Sequence, residues 1–168
     1  MTTPAPFDPV ATADDDARAL AHSLLTAATH AALAVTDPAD GLPGISRIAF
    51  GLAPGGGAVT LISALAPHFA ALRAHPACAL MLGEVGEKGD PLTHPRLMIK
   101  AHARFIAADD PDRPALRDHW LTTHPKARLY IDFTDFAFVR FTPTSALLNG
   151  GFARAFRLSP ADLAPDLG

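Results

Sequence analysis

The sequence predicts a mainly β protein of the α+β class, built as a six- to seven-stranded antiparallel barrel with short helices packed outside it. Three observations predict this fold. Stretches of alternating apolar and polar residues recur in hairpin order and are separated by turns that contain Gly and Pro. Only three stretches carry apolar residues at helical spacing. The chain has 168 residues, 49% of them hydrophobic, which suits a single core.

The N-terminal part is expected to form a tail, a helix and a hairpin. Residues 1–11 contain three prolines and predict a flexible tail before a single domain over 12–168. The run of aspartates at 14–16 favours a helix N-terminus, and the leucines that follow predict a helix over 12–29. Alternation resumes on both sides of the Pro- and Gly-rich segment 37–44, which predicts a β-hairpin.

The rest of the chain is expected to add strands and two further helices. Pro67 begins a helix that must end before Pro76, because the residue before a proline disfavours helical geometry. In the clearest strand, 97–105, apolar residues alternate with Lys100, His102 and Arg104, so one face is core and the other is exposed. The other predicted elements are the turn 54–57, the strands 59–63 and 78–84, the loop 86–95, the helix 112–124, the strands 136–142 and 145–158, and a helical turn after Pro160.

Composition restricts the partners and the compartment. The net charge of −3 gives no basic footprint, so no nucleic-acid partner is expected. Cys78 is the only cysteine, so no intramolecular disulfide can form, which fits a reducing compartment. The first residues show no positive region followed by an apolar run, and no segment approaches roughly 20 apolar residues, so neither a leader peptide nor a membrane span is expected. We therefore expect a cytoplasmic protein that is not embedded in a membrane.

One stretch has the side chains that an anionic ligand needs. Arg47 lies on the strand face opposite Ile48, so its side chain points away from the apolar layer. Ser63 ends the next strand, just before the helix that begins at Pro67, where free amide hydrogens and the helix dipole favour an anion. His68 follows in the first turn of this helix. These residues predict a site for a phosphorylated small molecule.

The same residues resemble the flavin-binding core of the pyridoxamine 5'-phosphate oxidase-like family. The resemblance is carried by Arg47, Leu61-Ile62-Ser63, Leu65-Ala66-Pro67-His68, Leu72 and His75-Pro76-Ala77-Cys78-Ala79-Leu80. Three further blocks are similar to the branch of haem-utilisation proteins of the HugZ type. They are residues 89–97, 130–136 and 149–155. Several blocks in the same order are more specific than any single motif.

The resemblance implies a split β-barrel that forms a homodimer, with flavin mononucleotide (FMN) held at the subunit interface. His68 would stand where the family places an arginine, and Arg96 would contact the flavin ring from a neighbouring strand. Lys88, in the loop, is a further candidate for the phosphate. The expected cofactor-binding residues are Ser46, Arg47, Ile48, Ile62, Ser63, His68, Lys88 and Arg96.

Departures from the family pattern limit the activity that is expected. Leu52 and Phe69 stand where the oxidases have lysines, which predicts weaker or altered flavin affinity. Trp120 lies in a predicted helix and not in a C-terminal strand, so pyridoxamine 5'-phosphate oxidase activity is not expected. The longer haem-utilisation proteins have an additional C-terminal domain that this chain lacks, so haem cleavage is not expected either.

The leading hypothesis is an FMN-dependent oxidoreductase that acts on an unknown small molecule. The alternatives are a non-catalytic protein that binds flavin or haem for storage, sensing or haem utilisation, and a dimeric barrel that has lost its cofactor. No side chain is assigned as a catalytic acid or base. No metal site is expected, because the eight histidines are scattered and do not form metal-binding motifs.

Overall fold

Nine β-strands and three α-helices form the part of the chain that the computed structural model describes, residues 8–164. The strands are β1 (Val10–Thr12), β2 (His30–Thr36), β3 (Pro43–Ala49), β4 (Gly51–Leu52), β5 (Ala58–Ser63), β6 (Ala77–Leu82), β7 (Arg96–Phe105), β8 (Phe136–Asn149) and β9 (Ala155–Leu158). The helices are α1 (Asp15–Ala27), α2 (Pro67–Ala74) and α3 (Arg113–Thr123), with 3₁₀ turns at Pro91–Thr93, Pro125–Leu129 and Ala161–Leu163. None of these helices combines the length and the apolar composition that crossing a bilayer requires.

The strands form one sheet in the order β1-β9-β8-β7-β6-β2-β3, and β5 pairs with both β4 and β8. All pairs are antiparallel except β1 with β9. The long strand β8 is shared, because its first residues pair with β5 and the rest pair with β7 and β9. The mainly β, α+β prediction is confirmed. The strand count exceeds the predicted six to seven because β1 and β4 are too short to show alternation.

The chain start departs from the sequence prediction. Val10 and Ala11 were assigned to a flexible tail, but they belong to β1 and pair with Ala155 and Phe156 of β9. Residues 1–7 of the predicted tail lie outside the described residues. Helix α1 begins three residues later than predicted, because the side chain of Asp14 accepts a hydrogen bond from the Ala17 amide at 2.8 Å and caps the helix there.

The second strand of the predicted hairpin ends at Ala49, and the chain turns at Phe50 from β3 into β4. The Phe50 amide donates to the Thr29 carbonyl at 2.9 Å and not to a strand partner. The fully buried Thr60 hydroxyl donates to the Ala49 carbonyl at 2.6 Å and joins β5 to the end of β3. The corner is therefore fixed by contacts that strand periodicity does not reveal.

Two apolar clusters stabilise the barrel. The larger one fills the barrel interior and also contains the buried face of α1. The smaller one lies between α3 and the strands β5 and β8, and its centre is Trp120, which is 1% exposed. The Trp120 ring stacks on His124 with a centroid distance of 4.0 Å and meets the edge of Phe138 at 5.7 Å. Helix α3 thus covers one outer part of the sheet and leaves the rest open.

Candidate functional site

The part of the sheet that α3 does not cover presents an exposed surface, here called the outer face. It belongs to β2, β3, β6, β7, β9 and the C-terminal half of β8. Because side chains alternate along a strand, residues whose neighbours in the same strand are buried in the barrel point to this face. Ile45 is 77% exposed and Met81 is 49% exposed here, although both are large apolar residues. The outer face is therefore apolar surface left open in this chain.

A row of side chains crosses the outer face from β3 to β9, and its two ends are arginines. Residues paired across neighbouring strands point to the same side of a sheet, so the register defines the row directly. Its members, here called the central row, are Arg47, Ala32, Met81, Met98, Leu147 and Arg157. Five strand spacings separate the end residues, or about 24 Å along the sheet. The row is thus an apolar strip with a guanidinium at each end.

A second row runs beside the central row and brings in a lysine. It consists of Ile45, Ala34, Ala79, Lys100 and Ser145. Lys100 borders two depressions of the outer face, one of about 380 Å³ and one of about 680 Å³. Ala34, Ala79 and His102 line the smaller depression, and Met98, Leu147 and Arg157 are among the residues of the larger one. Both depressions therefore combine an apolar floor with a cation.

The strands that form this face contain no acidic residue. None of the nine described strands contains Asp or Glu, although the chain has more acidic than basic residues overall. The same strands contain six permanent cations, Arg47, Arg96, Lys100, Arg104, Arg140 and Arg157. Of those on the outer face, Arg157 is neutralised in part, since it lies 3.0 Å from the Asp8 carboxylate. Arg47 and Lys100 have no carboxylate within 4.0 Å among residues 8–164.

The structure places the predicted cofactor-binding residues in four different environments. Arg47 and Arg96 lie on the outer face, where Arg96 pairs with Asn149 and donates to the Leu92 carbonyl at 3.0 Å. Ile48 and Ile62 are each 4% exposed and belong to the barrel core, so their side chains face other core residues. Ser46 points to the same side of β3 as Ile48 and is half-buried.

Ser63 and His68 lie at the junction between β5 and α2. The Ser63 hydroxyl donates to the Asp135 carboxylate at 3.1 Å and accepts from the Leu65 amide at 3.1 Å. A carboxylate at this position repels a phosphate. Burial lowers the pKa of the His68 imidazole, so its neutral form is favoured near pH 7. This junction therefore offers hydrogen bonds and helix amides, while a histidine cation is disfavoured.

Lys88 lies in the exposed loop between β6 and β7, and this loop is organised by His94. The Gly86 amide donates to Nδ1 of His94 at 3.2 Å, so the proton of a neutral ring lies on Nε2. Nε2 of His94 then donates to the Lys88 carbonyl at 3.0 Å. The Lys88 backbone is held by this ring, and its side chain is exposed.

Sequence reasoning missed Lys100, His102, Met81, Met98 and Arg157 as site residues. The alternation of 97–105 already assigned Lys100 and His102 to an exposed face. What the alternation could not show is which strands lie beside β7, and hence that the methionines and Arg157 share this face. Cross-strand register depends on topology, which local pattern does not determine.

Comparison with known proteins shows what this chain is similar to. The sequence matches no protein-family model. It is 32% identical over 117 residues to the chloroplastic non-canonical heme oxygenase HOZ of Arabidopsis thaliana. That match covers 70% of this chain and 35% of the relative, so the chain spans about a third of the length of the curated protein it resembles.

Solved structures show the same fold. A heme-binding protein of Mycobacterium smegmatis superposes with a TM-score of 0.80 at 24% identity, over 91% of this chain and 62% of that chain. A Listeria innocua protein named after pyridoxamine 5'-phosphate oxidase superposes with a TM-score of 0.61 at 14% identity, over 80% of this chain and 98% of that chain. The fold is thus the split β-barrel. This chain therefore has the fold of pyridoxamine 5'-phosphate oxidase-like and heme-binding proteins, and part of its sequence is similar to that of a non-canonical heme oxygenase.

Proposed function

We propose that this protein binds haem on its outer face, beneath a second copy of the chain. The observation that carries the proposal is the central row, an apolar strip that ends in arginines and lies on strands without acidic residues. Such a surface is costly to leave in water, and its Arg47 and Lys100 cations attract an anion, whereas Asp8 and Asp162 lie at the Arg157 end. It suits a ligand that is broad, flat, apolar in its middle and negatively charged at its edge.

The residues of the outer face fit the chemistry of haem. A porphyrin ring is flat and apolar and has two carboxylates. Met81 and Met98 have flexible, polarizable side chains that suit contact with a ring. Ala34 and Ala79 have small side chains, which leave space above the smaller depression. Lys100 stands within reach of both depressions and is a donor for a carboxylate. When bound, haem supplies iron chemistry whose course depends on the axial ligand and on access to the pocket.

The relatives support a haem ligand. The curated relative is a heme oxygenase, and one protein with the same fold is a heme-binding protein. Since the chain covers 35% of the oxygenase and the second likeness is below 25% identity, the proposal is restricted to binding. Cleavage of the ring is not part of it.

The second copy is proposed because the open surface is apolar and lies on regular strands. Large apolar side chains such as Ile45 and Met81 rarely remain exposed together in a monomer, and a two-fold dimer would bury them on both subunits at once.

Met81→Glu should shift the sedimentation coefficient at micromolar concentration to that of a monomer. Leu65→Glu, at a residue that is 87% exposed but lies off the outer face, should leave a dimer. A wild-type monomer at that concentration would refute this part.

Haem binding is tested by titrating hemin into the full chain and following the Soret band. Arg47→Ala should weaken binding by about 1.5–3 kcal/mol, the range for a hydrogen bond to a charged group. Arg128→Ala is the matched control, because Arg128 is exposed in the 3₁₀ turn Pro125–Leu129, away from the outer face. If wild-type protein causes no Soret shift, the proposal is wrong. Equal affinities for the two variants would remove Arg47 from the site.

A second candidate function is an FMN-dependent oxidoreductase, and the junction of β5 and α2 favours it. The helix has no side-chain cap at Ala66. Pro67 has no N–H and the Phe69 amide donates to the Ala66 carbonyl at 2.9 Å, so the His68 amide is the one in this turn that is open to a phosphate. Bound FMN would supply hydride transfer at its N5 atom, with this chain providing orientation. Quenching of FMN fluorescence tests binding, and anaerobic reduction by NADH followed by turnover with an acceptor tests the activity. Haem ranks first because Asp135 accepts the hydrogen bond of Ser63 at this junction.

A further inference from the structure

The side chains of the outer face differ in how well each could ligate the iron of a bound haem. Iron in haem proteins takes ligands such as imidazole, thioether or thiolate. The groups of these types that belong to the outer face or line its smaller depression are His30, His102, Met81, Met98 and Cys78.

Two of these groups are already engaged. Nε2 of His30 lies 2.8 Å from the Glu84 carboxylate, an ion pair when the ring is protonated. The Cys78 thiol donates to the Ala101 carbonyl at 3.6 Å, and burial raises its pKa to about 11. It therefore stays protonated near pH 7, whereas a thiolate is the form that ligates a metal. Neither group is a ready ligand.

Unlike His30 and Cys78, His102 has no polar partner among the residues that the structure describes. It is exposed, and its ring makes no hydrogen bond or ion pair with any residue from 8 to 164. It lies in the middle of β7, paired with Ala77 on one side and Thr142 on the other, so its backbone is fixed by two neighbouring strands. It lines the smaller depression together with Lys100, two residues away. An imidazole held this way has both nitrogens free for a ligand.

We propose, resting on the haem-binding function above, that His102 ligates the iron of haem bound in the smaller depression. Lys100, on the same side of the strand at a spacing of about 6.7 Å, then stands where a carboxylate at the ring edge can be paired. Ala34, Ala77 and Ala79 present methyl groups beside His102, which leaves room for a flat ring to approach the imidazole. Met81 and Met98 lie on the same face, four residues along β6 and β7 from the pair Ala77 and His102.

The test uses the full-length chain reconstituted with hemin. We expect His102→Ala to lose the spectrum of a histidine-ligated haem, by visible absorption and by electron paramagnetic resonance, and added imidazole to restore it. The hemin dissociation constant should rise on the order of 10- to 100-fold, as for loss of a metal-supporting residue. His119→Ala is the matched control, since this histidine lies on α3, away from the outer face. It should leave spectrum and affinity unchanged.

Other results would overturn the assignment. If His102→Ala keeps the wild-type spectrum, or if Met98→Leu alters the spectrum and His102→Ala does not, His102 is not the ligand, while the haem-binding proposal stands. If wild-type protein gives no Soret shift, both proposals are wrong. Since His102 is exposed and contributes nothing to the core, the far-ultraviolet circular dichroism of the variant should match wild type, which removes misfolding as the cause of a lost spectrum.

Discussion

Gly83→Ala should destabilise the protein strongly, because two separate costs meet at this residue. Gly83 directly follows β6 and has a φ of +119°, a conformation that L-residues rarely adopt. A Cβ atom there would lie 2.5 Å from the Pro95 carbonyl oxygen and 2.9 Å from the Arg96 Cα. Both contacts are with backbone at the start of β7, so neither is relieved by a side-chain rotation.

A second glycine, Gly55, allows the cost of the backbone conformation to be measured without the cost of close contact. Gly55 has a φ of +76°, and no atom lies within 4 Å of the position its Cβ would take. Gly55→Ala therefore pays only for the backbone conformation, about 1–2 kcal/mol. Gly83→Ala must also move β6 and β7 apart at this end, which costs about 1–3 kcal/mol more, as for an overpacked site. The stabilisation from reduced chain entropy in the unfolded state is similar in both variants and cancels in the comparison.

The assay is urea denaturation of both variants and wild type at one protein concentration, so that any self-association contributes equally. We expect a free energy of unfolding lower by about 2–5 kcal/mol for Gly83→Ala and by about 1–2 kcal/mol for Gly55→Ala. Equal losses would show that the approach to Pro95 costs nothing, and the argument from close contact would be wrong.

Two further predictions concern the half-buried His68 and the buried Thr60. Burial lowers the pKa of His68 in the folded state, so its contribution to stability is present above the unfolded pKa and is lost as the pH falls toward the folded value. In urea denaturation, His68→Gln should therefore lose less stability than wild type between about pH 7 and pH 5. Equal losses of stability in the variant and in wild type would contradict this prediction. Thr60→Val should lower the free energy of unfolding by about 1–3 kcal/mol, because it leaves the Ala49 carbonyl without its 2.6 Å hydrogen bond inside the barrel. Thr122→Val removes an exposed hydroxyl of α3 and should lower it much less.

Local pattern predicted most of the fold. The alternation of apolar and basic residues in β7 and the two prolines around α2 each express a physical preference of a short segment, and both elements form close to where they were predicted. Strand β1 was missed, because three residues carry no periodicity and its partner, β9, lies about 145 residues away in the chain. Long-range pairing is a property of the assembled sheet.

The candidate site was harder to predict than the fold, for the same reason. Arg47 was singled out from its own strand, and it does lie on the outer face. Met81, Lys100 and Arg157 can be recognised as site residues only once the pairing between strands is known. The net charge of −3 also concealed the local excess of cations, because the acidic residues between positions 8 and 164 all lie outside the strands.

The separation of acidic from basic residues has a consequence for the proposed contact between two copies of this chain. If both present the same cation-bearing sheet, the charges at the contact repel each other at separations shorter than the Debye length, about 8 Å at physiological ionic strength. An anion lodged between the copies removes this repulsion, so occupancy and self-association become thermodynamically linked, each strengthening the other. Dilution of the protein should then release the ligand, and added salt should weaken its hold on the cations.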